Sequence, residues 1–207
     1  MRCIECAFLK DLNCRNMRLL ITSFGPFANF KVNPSNEVMS LLTRGLMSEE
    51  MRHQIDYETL EVSYDEVDLF IKKIEKKSYD YIVHLGVATH DAILRLETRA
   101  RNERSGADVL GIAPVTREIN AKSANLTTNC SLEMIQKFTK NHPGKVRVSD
   151  DAGTFLCNYI YYNSLQVYGT RSKVLFIHIA DYVNNPDAIH AAEQAEIVRS
   201  FIRELID

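Results

Sequence analysis

The chain has 207 residues, 45% hydrophobic and 25% charged, with a net charge of −2, which suffices for one domain with a substantial core and gives no reason for a second. The near-balanced charge excludes the strongly basic surface that a nucleic-acid partner or an anionic membrane would require. Five cysteines, odd in number and unevenly spread, do not form a disulfide framework, and no apolar run has membrane-spanning length, so the expected compartment is the cytoplasm.

Residues 1–16 hold Cys3, Cys6 and Cys14 and differ in character from the rest of the chain, which predicts an N-terminal extension ahead of a single α/β domain over 17–207. Cys3 and Cys6 are spaced like half of a zinc site, yet no further ligand stands at a usual distance, so no metal is expected. Residues 17–23 read as a buried first strand. After an aromatic turn over 25–30, Asn33-Pro34 supplies an N-cap and a proline for the first helical position, opening a helix to about Leu46. Residues 54–62 suit a second strand, and Ser63 with Glu66 forms a capping box ahead of a helix with Val67, Phe70, Ile71 and Ile74 on one face. Residues 79–87 are a short apolar run of the kind that parallel sheets bury on both faces. Leu94 and Leu96 then alternate with Arg95, Glu97 and Arg99, predicting a strand with Glu97 on its polar face. Residues 103–128 read as a functional surface loop and 131–140 as a helix. Residues 173–180 form another buried strand, and Asn185-Pro186 is expected to cap a last helix whose apolar face carries Val198, Phe201, Ile202 and Leu205. Strands and helices alternate nearly throughout, so the expected fold is a three-layer αβα sandwich around a mainly parallel, mixed, twisted sheet.

The chemistry concentrates around Cys157. Residues 145–149 alternate like a short strand, Asp150-Asp151-Ala152-Gly153 is a turn, and Leu156, Ile160, Ser164 and Val167 recur at helical spacing until Gly169. Cys157 therefore falls in the first turn of a helix entered from a tight loop, where unpaired backbone N–H groups favour a thiolate and offer hydrogen bonds to a developing oxyanion. There is no G-x-S-x-G, H-E-x-x-H, G-x-x-x-x-G-K-[ST] or G-x-G-x-x-G motif, so serine hydrolase, zinc peptidase, P-loop and dinucleotide readings lose their usual support, and no cofactor is expected. Two histidines, His84 and His178, lie inside apolar strands near their carboxyl ends, where open α/β sheets bind ligands. The residues alone do not choose between them. A helix-start cysteine, a strand histidine and Glu97 together supply the nucleophile, base and orienting group of cysteine hydrolysis.

Thr22-Ser23-Phe24-Gly25-Pro26-Phe27, Val32-Asn33-Pro34-Ser35, His84-Leu85-Gly86-Val87, Leu96-Glu97, the run from Asp151 to Asn158 and Phe176-Ile177-His178-Ile179 resemble, in order and spacing, the pyroglutamyl peptidase I family of cysteine peptidases. The resemblance runs from about Met17 to the last helix. It implies a phosphorylase/hydrolase-like fold, Cys157 as nucleophile, His178 as base and Glu97 as the group that orients it. It further implies a ring pocket walled by Phe24, Phe27 and Phe155 with Val87 beside them, His84 in a structural role, and pyroglutamyl peptides as substrates. Homo-oligomer formation is left open. The chain departs from the family at Ser23, usually glycine, at the bulkier and more polar residues 87–91, and at Ala180-Asp181-Tyr182, where a proline-containing stretch is usual. Two alternatives stay open: a relative that binds pyroglutamate-like ligands without efficient turnover, and a nucleoside phosphorylase-like transferase of related architecture.

Overall fold

The computed structural model describes residues 16–27, 30–45 and 53–206. Cys3, Cys6 and Cys14, and all of the expected extension but Asn16, lie outside the described residues. In chain order the elements are β1 (Arg18–Phe24), α1 (Pro34–Gly45), β2 (Gln54–Leu60), α2 (Tyr64–Ile74), β3 (Tyr81–Ala88), β4 (Leu94–Glu97), β5 (Arg99–Ala100), β6 (Leu126–Thr127), α3 (Leu132–Asn141), β7 (Val146–Ser149), α4 (Leu156–Tyr168), β8 (Lys173–Ala180) and α5 (Ala191–Ile206).

The main sheet has the order β2-β1-β3-β8-β4-β7. β2, β1, β3 and β8 run parallel, while β4 is antiparallel to β8 and parallel to β7. β3 and β8 sit at the centre because Tyr-Ile-Val-His-Leu-Gly-Val-Ala and Lys-Val-Leu-Phe-Ile-His-Ile-Ala can be buried on both faces. Alternate residues supply two cores. Leu19, Ile21, Leu85 and Ile177 pack with Val38, Phe138 and Phe201 of α1, α3 and α5. Leu20, Ile82, Val174 and Phe176 pack with Phe70 of α2 and Tyr161 of α4. The result is the expected three-layer sandwich.

The helix starts follow local chemistry. Asn33 Oδ1 accepts from Ser35 N at 3.0 Å, with Pro34 as the first residue of α1. At α2, Ser63 Oγ accepts from Glu66 N at 3.4 Å, but Ser63 N donates to Glu61 O, so only half of the expected capping box forms. The last helix is a correction. Asn185 Oδ1 accepts from Asp187 N and its carbonyl accepts from Ala188 N, so Asn185-Pro186 closes a local turn and the helix starts later, at Ala191. Residues 103–128 are largely irregular, as expected, except for the short pairing of β6 with β5.

Candidate active site

The turn before α4 is held by Asp151 Oδ1, which accepts from Gly153 N at 3.0 Å, while Gly153 adopts the left-handed φ of 78° that its missing side chain permits. Phe155 is the N-cap of α4, and among the described residues no side chain caps that end. The first-turn amides around half-buried Cys157 therefore remain available to an anion. Further along α4, buried Asn158 accepts from Arg101 N at 2.8 Å and donates to the carbonyls of Arg101 and Glu103. This ties the loop after β5 to the helix start.

Beneath Cys157 lies Gly86 of β3, paired in register with His178 of β8. A Cβ at position 86 would stand 2.8 Å from Cys157 Sγ and 2.7 Å from the ring of fully buried Phe176. Glycine here is the space that the thiol occupies. The sequence carries a signal for it, since a glycine inside a strand often marks a close approach.

His178 Nδ1 donates to Glu97 Oε1 at 2.7 Å, leaving Nε2 as the ring nitrogen for the Cys157 thiol, which lines the same cavity. Burial by itself would lower the pKa of His178. The hydrogen bonds and charges of Cys157 and Glu97 outweigh burial and raise it to about 9. Glu97 is fully buried, its Oε2 accepts no hydrogen bond from the described residues, and its backbone carbonyl accepts from Tyr161 Oη at 2.8 Å. The strand carries Glu97 on its polar face as expected, and that face is buried. The polar face of β4 is turned toward the site, and Glu97 pairs with His178 rather than with an arginine. Arg95 and Arg99 instead meet Asp91 and Asp150.

His84, one strand position pair away from Gly86, is also fully buried. Its Nδ1 lies 2.7 Å from Thr22 Oγ1 and its Nε2 2.8 Å from Ser164 Oγ, with no charged partner. Burial pushes its pKa down to about 3, so it is a neutral imidazole bridging two hydroxyls.

Cys157 and His178 open onto a cavity of about 270 Å³ whose lining includes Phe24, Phe27, Val87 and Phe155. Phe27 stacks on Phe30 with ring centroids 5.0 Å apart, and Phe155 meets the edge of Tyr64 at 6.2 Å. Ser105 N donates to Thr154 O at 2.7 Å, and the Tyr64 hydroxyl donates to Ser105 O at 3.0 Å, so the long loop is stitched beside the Phe155 wall. Ser23 does not face this cavity. It is buried behind the wall, 3.3 Å from Asn36 Oδ1 and from Thr59 Oγ1. Arg95 also lines the cavity, and sequence reasoning did not single it out. The available signal was its position two residues before Glu97, hence on the same strand face.

A family model described as pyroglutamyl peptidase matches residues 17–196. The chain belongs to the pyroglutamyl peptidase family. Among curated members, it is 31% identical over 170 residues to the pyrrolidone-carboxylate peptidase of Staphylococcus saprophyticus, covering 79% of this chain and 78% of that one. It is 30% identical over 171 residues to that of a Thermoanaerobacter species, covering 79% and 82%. In fold it is similar to pyrrolidone carboxyl peptidase from Thermococcus litoralis, with a TM-score of 0.77, 20% identity and coverage of 90% and 92% of the two chains. It is also similar to pyroglutamyl peptidase I from Bacillus amyloliquefaciens, with a TM-score of 0.73, 24% identity and coverage of 90% and 94%. Membership of the pyroglutamyl peptidase family removes the support for a nucleoside phosphorylase-like transferase. No helix among the described residues is long and apolar enough to cross a membrane.

Proposed function

We propose that this pyroglutamyl peptidase is a cysteine omega-peptidase that removes N-terminal pyroglutamate with Cys157, His178 and Glu97 as its triad. The observation that carries the assignment is the 2.7 Å bond from His178 Nδ1 to buried Glu97, with Cys157 on the other side of the ring at the mouth of an aromatic cavity. Cys157 passes its thiol proton to His178 Nε2 as Sγ attacks the carbonyl that joins pyroglutamate to the next residue, and the first-turn amides of α4 receive the oxyanion. His178 Nε2 gives its proton to the leaving amine as the C–N bond breaks. It then takes a proton from water, whose oxygen replaces sulfur at the thioester carbon, and returns that proton to the departing thiolate to restore the thiol. Glu97 holds the ring and stabilises the imidazolium.

Substrate choice follows from the walls. The cavity is smaller than the about 300 Å³ at which pockets for drug-sized ligands begin, and it suits a small, flat, uncharged lactam that can be buried against Phe24, Phe27 and Phe155. A charged amino terminus would lose its hydration there, and the carboxylate in the lining, Asp151, is already engaged by Arg101. The expected compartment is the cytoplasm, which keeps the thiol reduced.

The direct test is release of aminocoumarin from its pyroglutamyl amide, with the alanyl amide as control. Release from the first and not the second is expected, and no release by folded protein overturns the proposal. The pH profile adds a second expectation. Folding raises the pKa of His178 from about 6.5 to about 9, so the folded chain holds this proton more tightly than the unfolded one. The imidazolium's contribution is complete below about pH 6.5 and fades as pH rises through about 9. The alkaline limb of kcat/KM and a decline in thermal midpoint should therefore coincide near pH 9. An activity profile that stays flat well beyond that pH would remove the imidazolium from the reaction.

A further inference from the structure

Arg95 stands directly opposite His178 in the antiparallel pairing of β4 with β8. Side chains at paired positions emerge on the same face about 5 Å apart at Cβ. Both residues line the cavity. In the proposed reaction His178 delivers a proton to the leaving amine, so the leaving residue lies over His178 and within reach of Arg95. A role for Arg95 toward that residue thus rests on the proposed peptidase reaction.

The guanidinium is held in place. Its Nε and Nη2 both meet Asp91 Oδ2, leaving Nη1 uncommitted to that carboxylate, and the Arg95 side chain is only 24% exposed. Asp91 Oδ2 also accepts from Arg147 Nη2 at 2.9 Å, so one carboxylate with 12% exposure serves two guanidinium groups and the trio carries a net positive charge. Nearby, Arg99 and Arg101 are each matched by one carboxylate, Asp150 and Asp151, and add no net charge to the rim.

The turn that presents Asp91 is itself anchored. His90 has a left-handed φ of 64°, unusual for a residue with a side chain. Its N–H donates to Asp181 Oδ2 at 3.0 Å, its carbonyl accepts from Asn185 Nδ2 at 3.0 Å, and Asp181 N donates to Asp91 O at 2.9 Å. Asp181 is fully buried. Residues 90–91, Asp181 and Asn185 are thus one structural unit, and that unit carries the Arg95 anchor.

We infer that Arg95 is a specificity-determining residue that recognises a carboxylate on the leaving part of the substrate. Arginine suits the task because its fork matches a carboxylate and keeps its charge at every working pH. Two sources can supply that group: the main-chain carboxylate of a pyroglutamyl dipeptide, or the side chain of an acidic residue next to pyroglutamate.

The test uses the whole enzyme and two substrate pairs, pyroglutamyl-alanine against its amide and pyroglutamyl-glutamate amide against pyroglutamyl-glutamine amide, with the coumarin amide as a carboxylate-free reference. For a partly exposed charge pair the expected advantage of the carboxylate member is about two- to fivefold in kcat/KM in at least one pair. A preference confined to the alanine pair assigns the main-chain carboxylate, and one confined to the glutamate pair assigns the side chain. The preference should shrink when ionic strength rises from about 0.01 M to about 0.15 M, which shortens the screening length from about 30 Å to about 8 Å. It should vanish in Arg95→Gln. Ratios near one in both pairs with the wild-type enzyme, or a preference that survives Arg95→Gln, overturn this inference while coumarin release leaves the peptidase reading standing. Absence of release from every substrate overturns both.

Discussion

Cys157→Ser and His178→Ala each remove on the order of 10⁴-fold or more of the rate of pyroglutamyl release, because members of one catalytic unit fail together. Serine keeps the shape at the start of α4 but not a nucleophile that the imidazole can hold as an anion. The two variants differ in stability. Cys157→Ser leaves the core nearly as it was, whereas His178→Ala strips the buried Glu97 of its partner, and Glu97 Oε2 already accepts no hydrogen bond from the described residues. An uncompensated buried charge costs about 3–5 kcal/mol, so His178→Ala should melt markedly earlier, and its rate must be taken per folded molecule. His84→Ala is the control. It leaves the hydroxyls of Thr22 and Ser164 without their shared partner and opens a cavity, costing about 3 kcal/mol in denaturant unfolding, yet the remaining folded protein should turn over substrate. A folded His84→Ala protein as inactive as His178→Ala would exchange the roles of the two histidines.

Gly86→Ala is the second large effect. A methyl group at that position would lie 2.8 Å from Cys157 Sγ and 2.7 Å from Phe176, closer than real contacts allow. Phe176 is fully buried and hemmed in by Tyr161 and His178, so the thiol must yield. Misplacing a reacting atom by about 1 Å costs about 10²-fold in rate, and the loss should fall on kcat, since the aromatic walls stay where they are. The rate of iodoacetamide alkylation at Cys157 should change in parallel, which ties the loss to the thiol. An unaltered kcat would mean that the strand, and not the thiol, absorbs the methyl group.

Much of this site is legible in the sequence alone. Gly153 ahead of the helical spacing of Leu156 and Ile160 puts Cys157 in a first turn, and α4 begins at Leu156. The apolar runs around His84 and His178 are the two central strands. One sequence does not reveal the difference between those histidines. It arises from partners far away in the chain, Thr22 and Ser164 for one and Glu97 and Cys157 for the other, and only folding assembles them. The burial of Glu97 is hidden for a related reason. Alternation separates an apolar strand face from a polar one, but it does not say whether the polar face meets water or a buried partner. The reversed direction of β4 is equally hidden, because direction leaves no mark on periodicity. Asn185-Pro186 misleads because asparagine-proline chemistry serves a local turn as well as a helix start.

The short strand β4 ties two traits to a single register. Glu97, which governs the imidazole, and Arg95, which faces the leaving side, stand two residues apart on one face, with Leu94 and Leu96 filling the core behind them. A one-residue slip would drive both charged side chains into that core at once and bring leucines into the site. An insertion or deletion in β4 therefore cannot retune what the enzyme accepts without also disabling how it reacts. Point substitution at Arg95 and remodelling of the Asp91 turn leave the register untouched, since that turn lies in a loop.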